Sequence, residues 1–291
     1  MEKAKKPWWA KLLLSILIII LVVVLAAGGA CIFVKVKYDV SVFETIGQVH
    51  ALQGEVDEDT LFSNKFSEDD KSSAQTTVNA QVDGLIEGNS ETGYQIASTL
   101  PAGAEVKAAI KLTDKQLGAI AKILIGNEGL EVSLAGTKIN AELIQVEFSN
   151  IEMSSADINF VIKADVTSLK DEMKDFPLSW VKRFVPSTLY ISSTVSVLKG
   201  ESAFKYTVES VGMTVNNLTN EQTTGLFKTL NLIAKTGTAE ELNLQLGSEF
   251  VNALIGNEQN PNGFAYSLKD LGATDYDFVS DGENNYFVIK K

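Results

Sequence analysis

Two short motifs in this 291-residue chain have the residue types and order of nucleophilic acyl chemistry. Ser179-Trp180-Val181-Lys182 matches S-x-x-K, and Lys235-Thr236-Gly237 matches K-T-G. Together with an S-D-N element, such motifs mark serine enzymes in which the hydroxyl attacks a carbonyl and a nearby lysine assists. The rest of that machinery is missing. No S-D-N, Ser-x-Asn or Tyr-x-Asn lies between the two motifs, and the 53 positions from Lys182 to Lys235 are too few for the helical subdomain such enzymes insert. K-T-G would also have to line the site on a strand, whereas here the pattern reads as the glycine stop of a helix.

Other chemistries fare no better. His50 is the sole histidine, so any triad or imidazole acid/base would depend on it, and its neighbours Val49 and Ala51 offer no partner. It reads as a partly exposed structural residue. Cys31 is the only cysteine, which excludes an intrachain disulfide and every zinc spacing built on cysteine. Two acidic clusters, Glu55/Asp57/Glu58/Asp59 and Glu68/Asp69/Asp70, raise the question of calcium. Neither has alternating oxygen ligands about a central glycine. Acids at the starts of short helices, where the macrodipole favours them, explain both. Asn217-Leu218-Thr219 is a glycosylation sequon, relevant only in a eukaryotic secretory route. The expectation is a non-enzymatic protein with no catalytic, cofactor-binding or metal residues.

The elements that would position any site begin with a membrane segment. Residues 12–34, LLLSILIIILVVVLAAGGACIFV, carry no charge, and about 20 such residues cross a hydrocarbon core of ~30 Å. Lys3, Lys5, Lys6 and Lys11 precede it, with Trp8 and Trp9 suited to the interface. This predicts a cytoplasmic tail (1–11), a single span (12–34) and the bulk of the chain outside the cytoplasm, at the cell membrane. Two rivals stay open: a cleaved signal peptide, with Ala26–Ala30 as its small-residue site, and a lipoprotein signal with Cys31 lipidated. Gly28 stands where the latter wants a large aliphatic residue. All three readings export the rest.

What is exported is strongly acidic. Of 25 basic and 37 acidic residues, six and one lie in the first 37, so the remainder carries a net charge of −17. Such a body repels phosphate backbones, so no nucleic-acid partner is expected.

The exterior chain reads as an acidic lead-in over 35–103 and an α+β domain over 104–291. Residues 38–50 look extended or briefly helical, Ser67 with Asp70 forms a capping box, and 71–103 give little beyond a helix turn at VNAQVDGLIEG. LTDKQLGAIAKIL (112–124) predicts a helix with a Thr113/Gln116 capping box, a face of Leu117, Ile120, Ala121 and Leu124, and a left-handed stop at Gly126. LTNEQTTGLFKTL (218–230) repeats the device with Thr219 and Gln222, and LIGNE occurs at both 124–128 and 254–258. These echoes suit either an internal duplication or the recurrence of common caps.

Between the helices the period becomes two. Strands are predicted over 139–153, 156–166, 187–200 and 201–211, the last two joined by a tight hairpin at Lys199-Gly200-Glu201. In 156–166, Ile158, Phe160, Ile162, Ala164 and Val166 share a face. In 187–200, Leu189, Ile191, Val195 and Val197 point inward and Tyr190, Ser192, Thr194 and Ser196 outward; Phe204, Tyr206 and Val208 continue the inner face. One polar face means antiparallel pairing, and strands of this length make an elongated sheet. PLSWVKRFVP (177–186) is a short amphipathic insert. Helices are expected over 219–234 and about 239–255, then terminal strands FAYSLKDL, TDYDFVSD and NNYFVIKK around an Asp281-Gly282 turn.

The lysine-rich tail, single span, L-T-x-x-Q-L helix and long strands interrupted by FPLSWVKRFVPSTLYIS make the chain resemble the YpmS-like group of membrane-anchored bacterial envelope proteins. The resemblance covers roughly residues 1–40 and 110–210. It implies a Gram-positive-type cell surface and, through lipid-cradling folds, a hydrophobic ligand. Two functions follow as expectations. One is an extracytoplasmic domain that binds a hydrophobic ligand, in particular lipid. The other is a scaffold that binds another membrane or wall-machinery protein.

Overall fold

The computed structural model describes residues 42–125, 130–134, 137–152, 154–165, 167, 186–234 and 238–291. The proposed span at 12–34, Cys31, Gly126, Val166, the S-x-x-K and K-T-G motifs and most of the amphipathic insert lie outside them. Among the described residues no helix is long and apolar enough to cross a membrane.

The fold is α+β with antiparallel sheets. Helices α1 (Val42–Gln53), α2 (Glu58–Leu61) and α3 (Glu68–Asn79) lead into a hairpin, β1 (Ile86–Asn89) and β2 (Gly93–Ile96), then β3 (Ile110–Thr113) and α4 (Asp114–Ile125). Strands β4 (Leu130–Leu134), β5 (Thr137–Glu152), β6 (Ser155–Asp165), β7 (Thr188–Lys199) and β8 (Tyr206–Val215) follow. Helices α5 (Asn220–Ala234), α6 (Ala239–Leu254) and α7 (Phe264–Ser267), and strands β9 (Asp275–Ser280) and β10 (Asn285–Lys290), complete the chain. The sheets order as β1-β2, β3-β10-β9 and β4-β5-β6-β7-β8, and every pair is antiparallel.

Local chemistry sets the element ends. The expected capping boxes form at Ser67/Asp70, where the side chain of each residue bonds the other's backbone, and at Thr113/Gln116 and Thr219/Gln222. Thr238/Glu241 adds one that was not anticipated. The acidic clusters do stand at helix starts: Glu58 and Asp59 open α2, and Glu68, Asp69 and Asp70 open α3. In the β1–β2 hairpin Gly88 has φ +93, and a Cβ there would lie 1.8 Å from the Gly93 carbonyl oxygen, so only glycine fits.

One face of the five-stranded sheet carries the core. Ile158, Phe160 and Ala164 of β6 and Leu189, Ile191, Val195 and Val197 of β7 are buried against the helices. On α4, Leu117, Ile120 and Ala121 are buried and Leu124 packs at the edge. The same cluster reaches from Leu52 of α1 to Ile289 of β10. The three-stranded sheet closes over β5, where Asn285 Nδ2 donates to Phe148 O at 2.8 Å and the Phe148 and Phe278 rings meet edge-on at 5.4 Å.

Four expectations need correction. The β7–β8 connection is not a tight hairpin, because β8 starts only at Tyr206. Residues 200–205 reach toward the small sheet: Phe204 is buried with φ +55, and its amide donates to Asp275 Oδ1 at 3.0 Å. FAYSLKDL is helical, α7 followed by a 3₁₀ turn at Lys269–Leu271, since Phe264, Ala265 and Leu268 turn inward at helical spacing. The stretch from residue 71 holds most of helix α3 and the β1–β2 hairpin. The LIGNE echo marks no shared topology: α4 leads into the large sheet, whereas α6 leads into α7 and the small sheet.

Helix α6 lies directly on the sheet. Phe160 and Phe250 stack at 4.3 Å, and a Cβ on Gly247 would come within 2.2 Å of Val195 Cγ1. A side chain at 247 must therefore push helix and sheet apart. Gly247→Ala is expected to cost ~1–3 kcal/mol by overpacking, seen as a lower urea midpoint for the full chain in detergent. An unchanged midpoint would mean that the helix rides higher than described.

Candidate functional site

The other face of the large sheet, read from sequence as polar and solvated, is where the chain's unusual chemistry gathers. Phe62, from the acidic lead-in, lies across it. With Ile144, Val161 and Tyr190 it forms a second apolar cluster, edged by Val56. The Phe62 and Tyr190 rings stack at 5.4 Å. Alternation had put Tyr190 outward, which is correct for its face, but the lead-in buries it. A sequence signal existed. Leu143-Ile144 and Phe160-Val161 are adjacent apolar pairs that break the alternation, and Phe62 is an aromatic inside a run of acids. A bulge at Leu143–Gln145 turns Ile144 to this second face.

A carboxylate fixes the lead-in in register. Glu58 Oε1 accepts from Lys163 Nζ at 2.6 Å and from the Tyr190 hydroxyl, while Lys65 Nζ stands 3.5 Å from Oε2. Lys65 also pairs with Asp59 at 2.8 Å. The ammonium of Lys163 is 5.5 Å from the centre of the Tyr190 ring, a cation–π distance. These donors, Lys163 first and Tyr190 second, hold the Glu58 carboxyl down at about 2 from an ordinary 4.5. Burial, with the hydrogen bond to Glu58 next, pushes the Tyr190 phenol up, and the bond to Glu58 raises Lys163.

The lead-in is pinned upstream as well. Asn216, buried at φ +50 where asparagine is tolerated, donates from Nδ2 to Leu52 O at 2.8 Å and accepts from the Tyr190 amide at 2.8 Å. Asn217 Nδ2 donates to Gly54 O and Glu55 O at 3.1 and 3.2 Å. The nitrogen a glycan would take in the sequon is thus the one that clamps the end of α1. Of the remaining acids, Asp57 caps α2 through Asp59 N, Glu68 pairs with Lys71 at 2.6 Å, and Glu55 and Asp69 are exposed. Among the described residues no group of three or more His, Cys, Asp or Glu could hold a metal ion. His50 is exposed in the last turn of α1.

Beside the clamp lies an open trough of about 370 Å³, floored by Val161, Asn159, Ser192 and Thr214 and walled by Leu61-Phe62 on one side and Asn217–Thr219 on the other. A second depression, about 450 Å³, runs along the sheet's edge strand β8, from Ser210–Met213 to Lys228 and Glu240. There Val211 is an extra residue in the β7–β8 pairing and is half exposed. Behind this bulge a buried network joins sheet to helix: Asn243 Oδ1 accepts from Ser193 Oγ at 2.6 Å, and its Nδ2 donates to Thr194 O and Ser210 Oγ at 2.8 Å. Ser193 occupies an inward position that alternation alone assigns to an apolar residue; its partner Asn243 could not be foreseen.

No protein-family model, curated protein or solved structure matches the chain.

Magnitudes rank the parts of the clamp. Burying a phenylalanine side chain is worth ~1.5–3 kcal/mol, whereas a partly solvated ion pair contributes ~1 kcal/mol or less. Phe62→Ala should therefore lower stability about two to three times as much as Glu58→Gln. The pH sign follows from the depressed carboxyl. The Glu58 contribution is complete above pH 4.5 and is lost as pH falls toward 2. Glu58→Gln should flatten the fall of the urea midpoint between these values. An identical slope would show that Glu58 does not hold the lead-in.

Proposed function

We propose that the chain is a non-catalytic, single-pass protein of the cell membrane, with its N-terminus cytoplasmic and its bulk outside, that acts as an adaptor binding another envelope protein. The observation that carries this reading is where the domain is closed and where it is open. The face of the sheet toward α6 is packed to contact, with Phe160 on Phe250 and Gly247 against Val195. The opposite face and the β8 edge keep accessible grooves. Recognition at a surface suits this arrangement better than ligand held between sheet and helix. A lipid chamber would have to lie away from the α6 interface. The charge-free run 12–34 and the resemblance to YpmS-like proteins support the address.

Topology and partner choice are tested together in cells. A periplasmic-type or secreted reporter fused after Lys291 should be active only outside the cytoplasm. Site-specific photocrosslinking of the full chain should give one discrete adduct that disappears in Glu55→Lys/Asp69→Lys, two exposed acids of the lead-in. A reporter active in the cytosol would overturn the address. An adduct indifferent to charge reversal would overturn the acidic face as the contact.

A further inference from the structure

The trough beside the lead-in differs in its lining from the acidic chain around it. None of its lining residues carries a formal charge, although the chain beyond residue 37 has a net charge of −17. Its polar groups are amides and hydroxyls set in order by the sheet. Asn159 Nδ2 donates to Ser192 Oγ at 2.8 Å and to Thr194 Oγ1 at 2.9 Å. With both amide protons engaged, Asn159 presents its carbonyl oxygen as an acceptor. Of the two hydroxyls only Ser192 lines the trough, and having accepted it keeps its own proton to donate. Acceptor and donor therefore stand side by side on neighbouring strands, Asn159 on β6 and Ser192 on β7. That pattern matches adjacent sugar hydroxyls, each of which both gives and takes a hydrogen bond. The exposed Leu61 on the rim supplies apolar surface for the C–H face of a pyranose.

The walls are held before any ligand arrives. Phe62 is fixed by its stack on Tyr190, and Asn217 by its bonds to Gly54 and Glu55. Such preorganisation lowers the ordering cost of binding. The volume, about 370 Å³, sits at the small end of the ~300–1,000 Å³ typical of ligand sites. It has room for a short segment of a larger molecule. A charged ligand would find no counter-charge in the trough and a repelling field around it if anionic.

We propose that this trough is a subsite for an uncharged, hydroxyl-rich ligand, namely a short segment of a neutral glycan. The inference rests on the reading above only in placing the domain outside the membrane. It is tested with the full chain in detergent micelles by titration calorimetry, with chitotetraose and maltotetraose as neutral probes and tetragalacturonate as the anionic control. At least one neutral tetrasaccharide should bind, tetragalacturonate should not, and Thr214→Trp, which fills the trough, should weaken binding at least tenfold. Ser192→Ala, which removes one hydroxyl and disturbs folding less, should weaken it by about fivefold to tenfold, as expected for a lost neutral hydrogen bond of ~1 kcal/mol. Absence of binding by both neutral probes to folded protein would overturn the proposal. So would affinity unchanged in both variants, or preference for tetragalacturonate. Each of these results leaves the reporter and crosslinking outcomes standing, so failure of the subsite is distinct from failure of the adaptor reading.

Discussion

The fold depends on one clamp between the lead-in and the far side of the large sheet. Glu58 reaches Lys163 and Tyr190, more than 100 residues downstream, and brings Phe62 down onto Tyr190 and Val161. The ion pair supplies direction and register, and the ring supplies most of the energy. Without the clamp this sheet face would expose an aliphatic and aromatic patch in a protein otherwise well protected by its acidic surface. With it, both faces of β6 and β7 are covered where Phe62 sits, and the polar trough remains beside it.

The clamp also decides how the folded domain meets the residues before it. Leu52 of α1 belongs to the main core, its carbonyl is bonded by Asn216, and the turn after it is bonded by Asn217. Residues from the end of α1 onward thus pack as part of the domain rather than as a slack tether. Asn216 serves both ends of this arrangement, since its side chain receives the amide of Tyr190, the residue that Phe62 covers. The start of β7, the turn that leaves β8 and the end of α1 are therefore fixed by one side chain.

Much of this was legible in the chain itself. Period-two alternation gave β5, β6 and β7 with their inner faces, because Phe160, Leu189 and Val195 have one side to hide. Capping residues Ser67, Thr113 and Thr219 announced three helix starts, because a side-chain oxygen three residues from its partner amide is a local matter. What stayed hidden was non-local. Nothing near Glu58 signals that its partners are Lys163 and Tyr190. The polar Ser193 in an apolar row makes sense only once Asn243 arrives from another element. The loop holding Phe204 was misread as a tight turn because its reason for length, Asp275, lies 71 residues on. The trough has no sequence signature at all, for its walls come from the lead-in, β6, β7, β8 and the turn after β8.

The most direct test of the clamp is hydrogen exchange of the backbone amides over residues 56–65 in the full chain. If Glu58 and Phe62 hold the lead-in on the sheet, the amides of Leu61 and Phe62, which are bonded within α2, should exchange slowly at neutral pH. They should become about twofold to fivefold faster in Glu58→Gln, as expected for the loss of ~1 kcal/mol or less, while the amides of β6 and β7 stay protected. Fast exchange of Leu61 and Phe62 in the unaltered protein, or rates that ignore the substitution, would contradict a lead-in docked through Glu58.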